Sequence, residues 1–528
     1  VRGRTLTHDV VRTADAVVIG SGAGGAVAAA RLAEAGLDVV VLEDGAYFMP
    51  DDFTEVEQPL TEQLYAEGAL RATDDLGVQM LQGRSVGGST TVNWMIMLRT
   101  PEFVLDEWER LFGLSMYSAQ SLAPVFERIE REVHATPVPD NAHSPNNRIV
   151  LDGARALGWS ARGAVINARG CVRSGTCGIG CRYDAKQSTL LTYLPSALAR
   201  GATVYSDVRV ERIAVRERDT GLGKPPLKRV HAAVSVPSDA PGPTHKRHIT
   251  IDAPIVVVAG GAVETPLLLQ RSGLGGGAVG KHLRLHPTTA VLGVYDRDIV
   301  GSTGIPLSTV CDEHLRWQGT DYGFWLECPP LLPGLGAVAV PGFGRDHASV
   351  MHEFRRLGSI IALTRDGANV HHSSGQVRAR RDGSSSITYR LHATDQERVR
   401  ASIVAAVQLH LAAGAREVIT LHDPPVRVTA DSANTTRQRM ADDLARQIAT
   451  APIAANRLGL FSAHVNGTCR LGTDARRAGV NPEGELFGAR GVYVCDGSLL
   501  PSAPSVNPQE TIMALASQIA DGIARRFR

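Results

Sequence analysis

The sequence predicts an α/β protein in which a parallel-sheet domain is joined to a second, α+β domain built on an antiparallel sheet. Three observations carry this. Residues 16–43 run strand, glycine turn, helix, strand, and the same style returns at 255–275 and again at 492–527. Between about 291 and 452 the glycine turns give way to alternating runs and a long helical stretch. At 528 residues the chain exceeds one ordinary core, so two or three folding regions are expected.

The first unit has a mechanical reason for each part. Ala16, Val17, Val18 and Ile19 form an uninterrupted apolar run, the mark of a strand covered on both faces. Gly20, Gly22 and Gly25 complete G-x-G-x-x-G as the chain enters an Ala-rich helix that closes at Gly36. The first glycine permits the tight turn, the second lets backbone approach a pyrophosphate, and the third lets helix and strand pack closely. The helix N-terminus then points its free N–H groups at the phosphates. A second strand, Val39 to Leu42, ends on Glu43, 23 positions after Gly20, where an acid can accept hydrogen bonds from a ribose. This unit reads an ADP half only, which NAD and FAD share.

Further along, residues 47–63 read as loop and short helix. Residues 81–101 form a second close-approach loop through Gly83, Gly87 and Gly88, placed to pass the rest of the cofactor. Helices are expected at 102–112 and 118–133 from apolar positions three and four apart, and a surface loop at 140–147. Cys171, Cys177 and Cys181 stand at C-x5-C-x3-C. Thiolate metal or iron–sulfur sites use such clusters, but a fourth ligand is missing nearby. A local structural loop, with or without one reversible disulfide, is the favoured reading, and no metal site is assigned. Residues 202–213 read as one strand, 216–246 as an exposed hairpin or loop, and 255–258 as a buried strand whose following helix puts it in the same sheet as the first unit. In the second region 385–393 alternates and 393–415 is helical; His352, His371 and His372 read as solvated or packed. Near the end, a short strand at 492–494 leads to Asp496-Gly497, and a helix starts near Asn507-Pro508, where proline suits a first turn.

Charge narrows the function. Lys and Arg number 55 against 54 Asp and Glu, which gives no support to nucleic-acid or anionic-membrane binding. No window approaches 18 consecutive apolar residues, so a spanning helix is not expected. The first fourteen residues lack an apolar signal core, and seven cysteines, an odd count, make no disulfide scaffold. A cytoplasmic location is the expectation.

Four blocks, in order, resemble the glucose–methanol–choline (GMC) oxidoreductases, flavoproteins that oxidise alcohols. They are GSGAGG…VLEDG at the N-terminus, Gly83 to Asn93, Gly261 to Gly275, and His464 to Thr468 joined to Asp496-Gly497-Ser498 and Asn507-Pro508. The resemblance implies a Rossmann-like FAD-binding domain, discontinuous over about 10–100, 200–290 and 455–528. It also implies a substrate or cap domain over about 101–199 and 291–454. It implies FAD contacts from Gly20, Gly22, Ala23, Gly25, Glu43 and Asp44, with Arg84 and Ser85 by the pyrophosphate and Gly87, Gly88, Asn93 and Trp94 along the flavin. Val210, Ala259, Gly260, Asp496, Gly497, Asn507, Pro508 and Thr511 complete that set. His464 takes the place of the family's active-site histidine and proton acceptor as hydride passes to flavin N5. Asn507 takes the place of its polar partner, which orients the alcohol oxygen. Members with covalent flavin carry a histidine before the loop asparagine; Val92 stands there, so non-covalent FAD is implied. Met97 departs from the family pattern, which expects an aromatic residue or Ala. Residues 175–188 resemble the long-chain fatty alcohol oxidase-like subset, which leans the substrate towards a hydrophobic alcohol: long-chain, sterol or aryl. The electron acceptor is dioxygen, a quinone or a redox protein. Rival readings are an NAD-dependent dehydrogenase and a non-oxidising family member of lyase or photodecarboxylase type.

Overall fold

Five parallel strands frame the molecule, in the order Val492–Val494, Ile255–Val258, Ala16–Ile19, Val39–Leu42 and Thr203–Tyr205. The computed structural model describes residues 1–527 other than 217–222, 224, 236–246, 368–370 and 430–436. The three central strands are apolar and buried end to end, which is why their runs carry no alternation. Val17 sits between Val40 and Val256, so the three separated segments share one register. Helices Ala23–Glu34 and Gln509–Phe527 pack together on the core of this sheet, joining the two ends of the chain.

A four-stranded sheet lies beside it: Val10–Thr13, His248–Ala253, Lys228–Val234 and Val208–Val215. Two expectations change here. The single strand expected over 202–213 is two, because Asp207 takes a left-handed φ of 59° and turns the chain from the parallel sheet into this one. Its backbone N–H donates to the Gly45 carbonyl (3.0 Å), and its carboxylate accepts from Ser206 Oγ and the Arg4 guanidinium, which holds the turn. The exposed hairpin or loop expected over 216–246 contains the largely buried strand Lys228–Val234, paired antiparallel on both sides, and its remainder lies largely outside the described residues.

The second sheet is antiparallel along its main path: Arg427–Thr429, Glu417–Thr420, Thr288–Val294, Leu357–Thr364, Phe324–Glu327, Thr309–Cys311 and Ala161–Gly163. Helices Ala393–Ala412 and Pro145–Leu157 cover it and share its separate apolar core. The surface loop expected over 140–147 instead runs into that helix. Asn146 and Asn147 are buried, and Asn147 Oδ1 accepts from the backbone of Ser308 (2.8 Å) and Thr309 (3.2 Å). Ser385–Arg390 pairs in a small sheet with Ser374–Ala379 and Lys281–Leu283. Helices Glu102–Phe112 and Ala119–Glu132, assigned on sequence to the second domain, turn Trp108, Phe126 and Ile129 into the first core. His372 packs between Asp395 and Tyr322. All seven cysteines are free thiols. Among the described residues no helix is long and apolar enough to cross a membrane, and no cluster of His, Cys, Asp and Glu is arranged to hold a metal ion.

Candidate active site

One cavity of about 930 Å³ runs between the two sheets, near the top of the roughly 300–1,000 Å³ range of cofactor and ligand sites. Its first wall is the glycine turn. Gly20 has a φ of 101°, and a Cβ there would lie 2.3 Å from the Ala259 carbonyl oxygen. Gly22, Ala23 and Gly24 face the cavity, and the helix Ala23–Glu34 starts there with no side-chain cap. Its first N–H groups are therefore left for a ligand, the arrangement that holds phosphates. Gly25 is not in the wall. A Cβ on it would meet the Gly20 carbonyl oxygen at 2.1 Å, so it serves the close packing of helix on strand.

At one end stand Glu43, Asp44 and Val210. Glu43 is buried; its carboxylate accepts from the Ser21 N–H (2.9 Å) and Oγ (2.7 Å) and from the Gly45 N–H (2.7 Å), while burial raises its pKa. Arg84 is held by Asp44 (2.9 and 3.2 Å), so its guanidinium is turned to this end of the cavity. Ser85, expected with it by the pyrophosphate, is fully buried and outside the wall.

The loop after Gly83 crosses the glycine turn. Ser21 Oγ accepts from the Gly87 N–H (2.9 Å), and a Cβ on Gly88 would lie 2.7 Å from Gly22 Cα. Gly88, Asn93 and Trp94 line the cavity; Gly87 stands behind it. The Asn93 amide donates to Gln509, and the buried ammonium of Lys186 donates to the carbonyls of Thr91, Asn93 (3.0 Å) and Cys177 (2.7 Å). That cation ties the loop after Gly83 to the cysteine-bearing loop.

Ala259, Gly260, Asp496, Gly497 and Pro508 lie in the wall where the other two strands end. Asp496 Oδ2 accepts from the Gly261 N–H (2.8 Å) and Thr265 Oγ1 (2.5 Å), joining the last strand to the start of helix Gly261–Arg271. Thr511 faces away; its hydroxyl pairs with Thr100 (2.7 Å).

At the far end His464 and Asn507 meet. His464 Nε2 is 3.5 Å from Asn507 Nδ2, and its Nδ1 is 3.1 Å from Nδ1 of His286. Burial pulls the His464 pKa down to about 4, so the ring is neutral at working pH. Asn507 Nδ2 also lies 3.4 Å from Oε2 of Glu327, whose other oxygen accepts from Trp325 Nε1 (2.6 Å). Burial pushes Glu327 up to about 8. Around these groups the wall is apolar: Ile96, Leu307, Ile361, Leu363, Phe461 and Val465. Asn507 Oδ1, in the wall, and His286 Nε2, behind it, are buried with no hydrogen-bond partner among the described residues. A reacting carbon could sit here beside His464 and Asn507.

The sequence reading gives neither Glu327 nor His286 a place in the site. A lone acid inside the apolar run Phe324-Trp325-Leu326-Glu327-Cys328 was the available signal for the first. His286 carried none, because its partner is 178 positions away.

The uncapped helix, the glycine cradle and the buried acid at the end of the second strand fit an ADP-containing cofactor. An FAD-binding family model matches residues 15–49, and the two GMC oxidoreductase models match 61–288 and 371–516. An uncharacterized GMC-type oxidoreductase of Mycobacterium tuberculosis is 35% identical over 97% of this chain and 76% of its own length. A long-chain-alcohol oxidase of Arabidopsis thaliana is 32% identical over 97% of this chain and 68% of its own. Pyridoxine 4-oxidase from Mesorbium loti superposes with a TM-score of 0.69 at 17% identity, over 96% of this chain and 98% of that one. A formate oxidase gives 0.65, also at 17% identity, over 98% and 99%. The chain belongs to the GMC oxidoreductases, FAD-dependent enzymes acting on CH–OH donors.

Proposed function

We propose that the protein oxidises a hydrophobic alcohol to its aldehyde or ketone, with His464 accepting the hydroxyl proton and Asn507 donating to the alcohol oxygen. The observation that carries this is the buried His464 imidazole 3.5 Å from the Asn507 amide, at the end of a cavity whose nearby walls are apolar; that burial favours the neutral ring. FAD, when bound, supplies the two-electron acceptor for the carbinol C–H. Gly20, Gly22, Ala23, Gly88 and Gly497 would hold its phosphates, Glu43 its ribose and Val210 its adenine. Asn93, Trp94 and Pro508 would border its ring system. A neutral imidazole suits proton acceptance, and the apolar wall excludes water from the reacting end. The likeness to a long-chain-alcohol oxidase supports a long-chain substrate over a sugar.

Losing an acid–base group of this kind costs roughly a hundred- to ten-thousandfold in rate. In His464→Ala, anaerobic alcohol should reduce the flavin at least that much more slowly while the yellow colour stays; near-normal reduction refutes the assignment. Dioxygen, quinone analogues and redox dyes, added after an anaerobic alcohol panel, identify the acceptor. We hold that the flavin is not covalently linked, since Val92 offers no nucleophile. Acid precipitation should release free FAD, and flavin retained on the pellet would refute this. Seven free thiols support a reducing, cytoplasmic location.

A further inference from the structure

We propose that His286 is a positioning residue that sets the tautomer of His464, accepting its Nδ1 proton so that Nε2 stays bare for the hydroxyl proton. The inference rests on the reading of His464 as proton acceptor.

The two rings approach Nδ1 to Nδ1 at 3.1 Å, and only one proton fits between them. Two arrangements exist. If His286 donates, His464 carries its own proton on Nε2 and has no lone pair to offer the substrate. If His464 donates, Nε2 is an acceptor. The groups facing Nε2 favour the second. The Asn507 amide nitrogen lies 3.5 Å from His464 Nε2 and 3.4 Å from Glu327 Oε2, so its two hydrogens meet two acceptors, and an alcohol oxygen entering between Asn507 and His464 would take over the hydrogen that faces Nε2.

The backbone is organised to hold His286 in place. Its φ is 50°, in the left-handed region uncommon for residues other than glycine. The N–H groups of Leu285 and His286 both donate to the Asp366 carboxylate (2.7 and 3.0 Å), which the Tyr389 hydroxyl also reaches (2.9 Å). Strain retained at such a site points to a role for the side chain it aims. In the reaction the alcohol O–H bond breaks and its proton goes to His464 Nε2. The ring becomes cationic, and the C–H electron pair leaves to the acceptor the family's activity already supplies. The Nδ1–H bond to His286 then becomes charge-assisted, which stabilises the new cation in a buried place.

The direct test is nitrogen NMR of the holoenzyme labelled with 15N-histidine, the His464 signals being those lost in His464→Gln. The expected pattern is a protonated Nδ1 and a bare, imine-type Nε2; the reverse pattern overturns the proposal. Kinetics give a second test. His286→Ala should slow flavin reduction by roughly ten- to a hundredfold at saturating alcohol with little change in KM. His286→Asn, whose amide oxygen can accept from a similar position and which tolerates positive φ, should recover most of that loss. An unimpaired Ala variant, or an Asn variant as slow as Ala, overturns it. Near-normal reduction by His464→Gln would instead sink the functional reading itself, whereas a crippled His464→Gln beside an unimpaired His286→Ala removes only the tautomer assignment.

Discussion

Replacing Glu327 with Gln should stabilise the protein, and by more as the pH rises. Glu327 is fully buried, its acid form suits an apolar wall, and burial moves its pKa from 4.5 to about 8. The folded chain therefore keeps a proton through pH 4.5–8 that the unfolded chain has released, and stability falls with rising pH across that window. At about 1.36 kcal/mol per pH unit the loss is roughly 3 kcal/mol by pH 7 and 4–5 kcal/mol by pH 8. Gln does not ionise and escapes it. Its carbonyl can still accept from Trp325, and any cost in its contact with Asn507 is the same at every pH. Unfolding entropy of about 2 cal/mol/K per residue over this chain is near 1.1 kcal/mol/K, so the gain in Tm should grow to roughly 3 °C at pH 7 and 4 °C at pH 8. Thermal unfolding of both holoproteins at pH 5, 6, 7 and 8 measures this. A difference in Tm that stays constant over that range would refute the reasoning.

Two further outcomes follow from other buried ionisable groups. His410 is buried with Nδ1 on the Tyr295 hydroxyl (2.9 Å) and Nε2 on the Val291 carbonyl (3.0 Å), and burial lowers its pKa to about 4. The unfolded chain takes up a proton there that the folded chain refuses, so stability should fall by up to roughly 3 kcal/mol as pH drops from 6.5 towards 4, and His410→Gln should flatten that limb in denaturant titrations. Lys186→Met removes three donors from buried carbonyls while relieving one buried charge; we expect a net loss of about 3 kcal/mol and faster flavin release, read by unfolding and by ultrafiltration. An unchanged unfolding midpoint would show that the carbonyls find other partners.

Much of the frame was legible. The apolar runs at Ala16–Ile19, Val39–Leu42 and Ile255–Val258 announce buried parallel strands, and the glycine spacing of the first turn states what it must approach. The helix Ala393–Ala412 follows from its own residues. Break points were less legible: Asp207 bends two strands into different sheets through one left-handed φ and a set of contacts that includes Arg4, 203 positions away.

The sequence by itself determined the cofactor unit, because a turn, its helix and the acid after it are local and are specified by residues within one supersecondary motif. It also supplied His464 and Asn507 through the family's blocks. Only the tertiary structure decided what those two residues touch. His286 reaches His464 across 178 positions and Glu327 reaches Asn507 across 180. Neither contact has a periodicity to read, since each depends on how the antiparallel sheet is set against the parallel one. The low pKa of one group and the high pKa of the other come from the same cause, the removal of water from the seam between two cores.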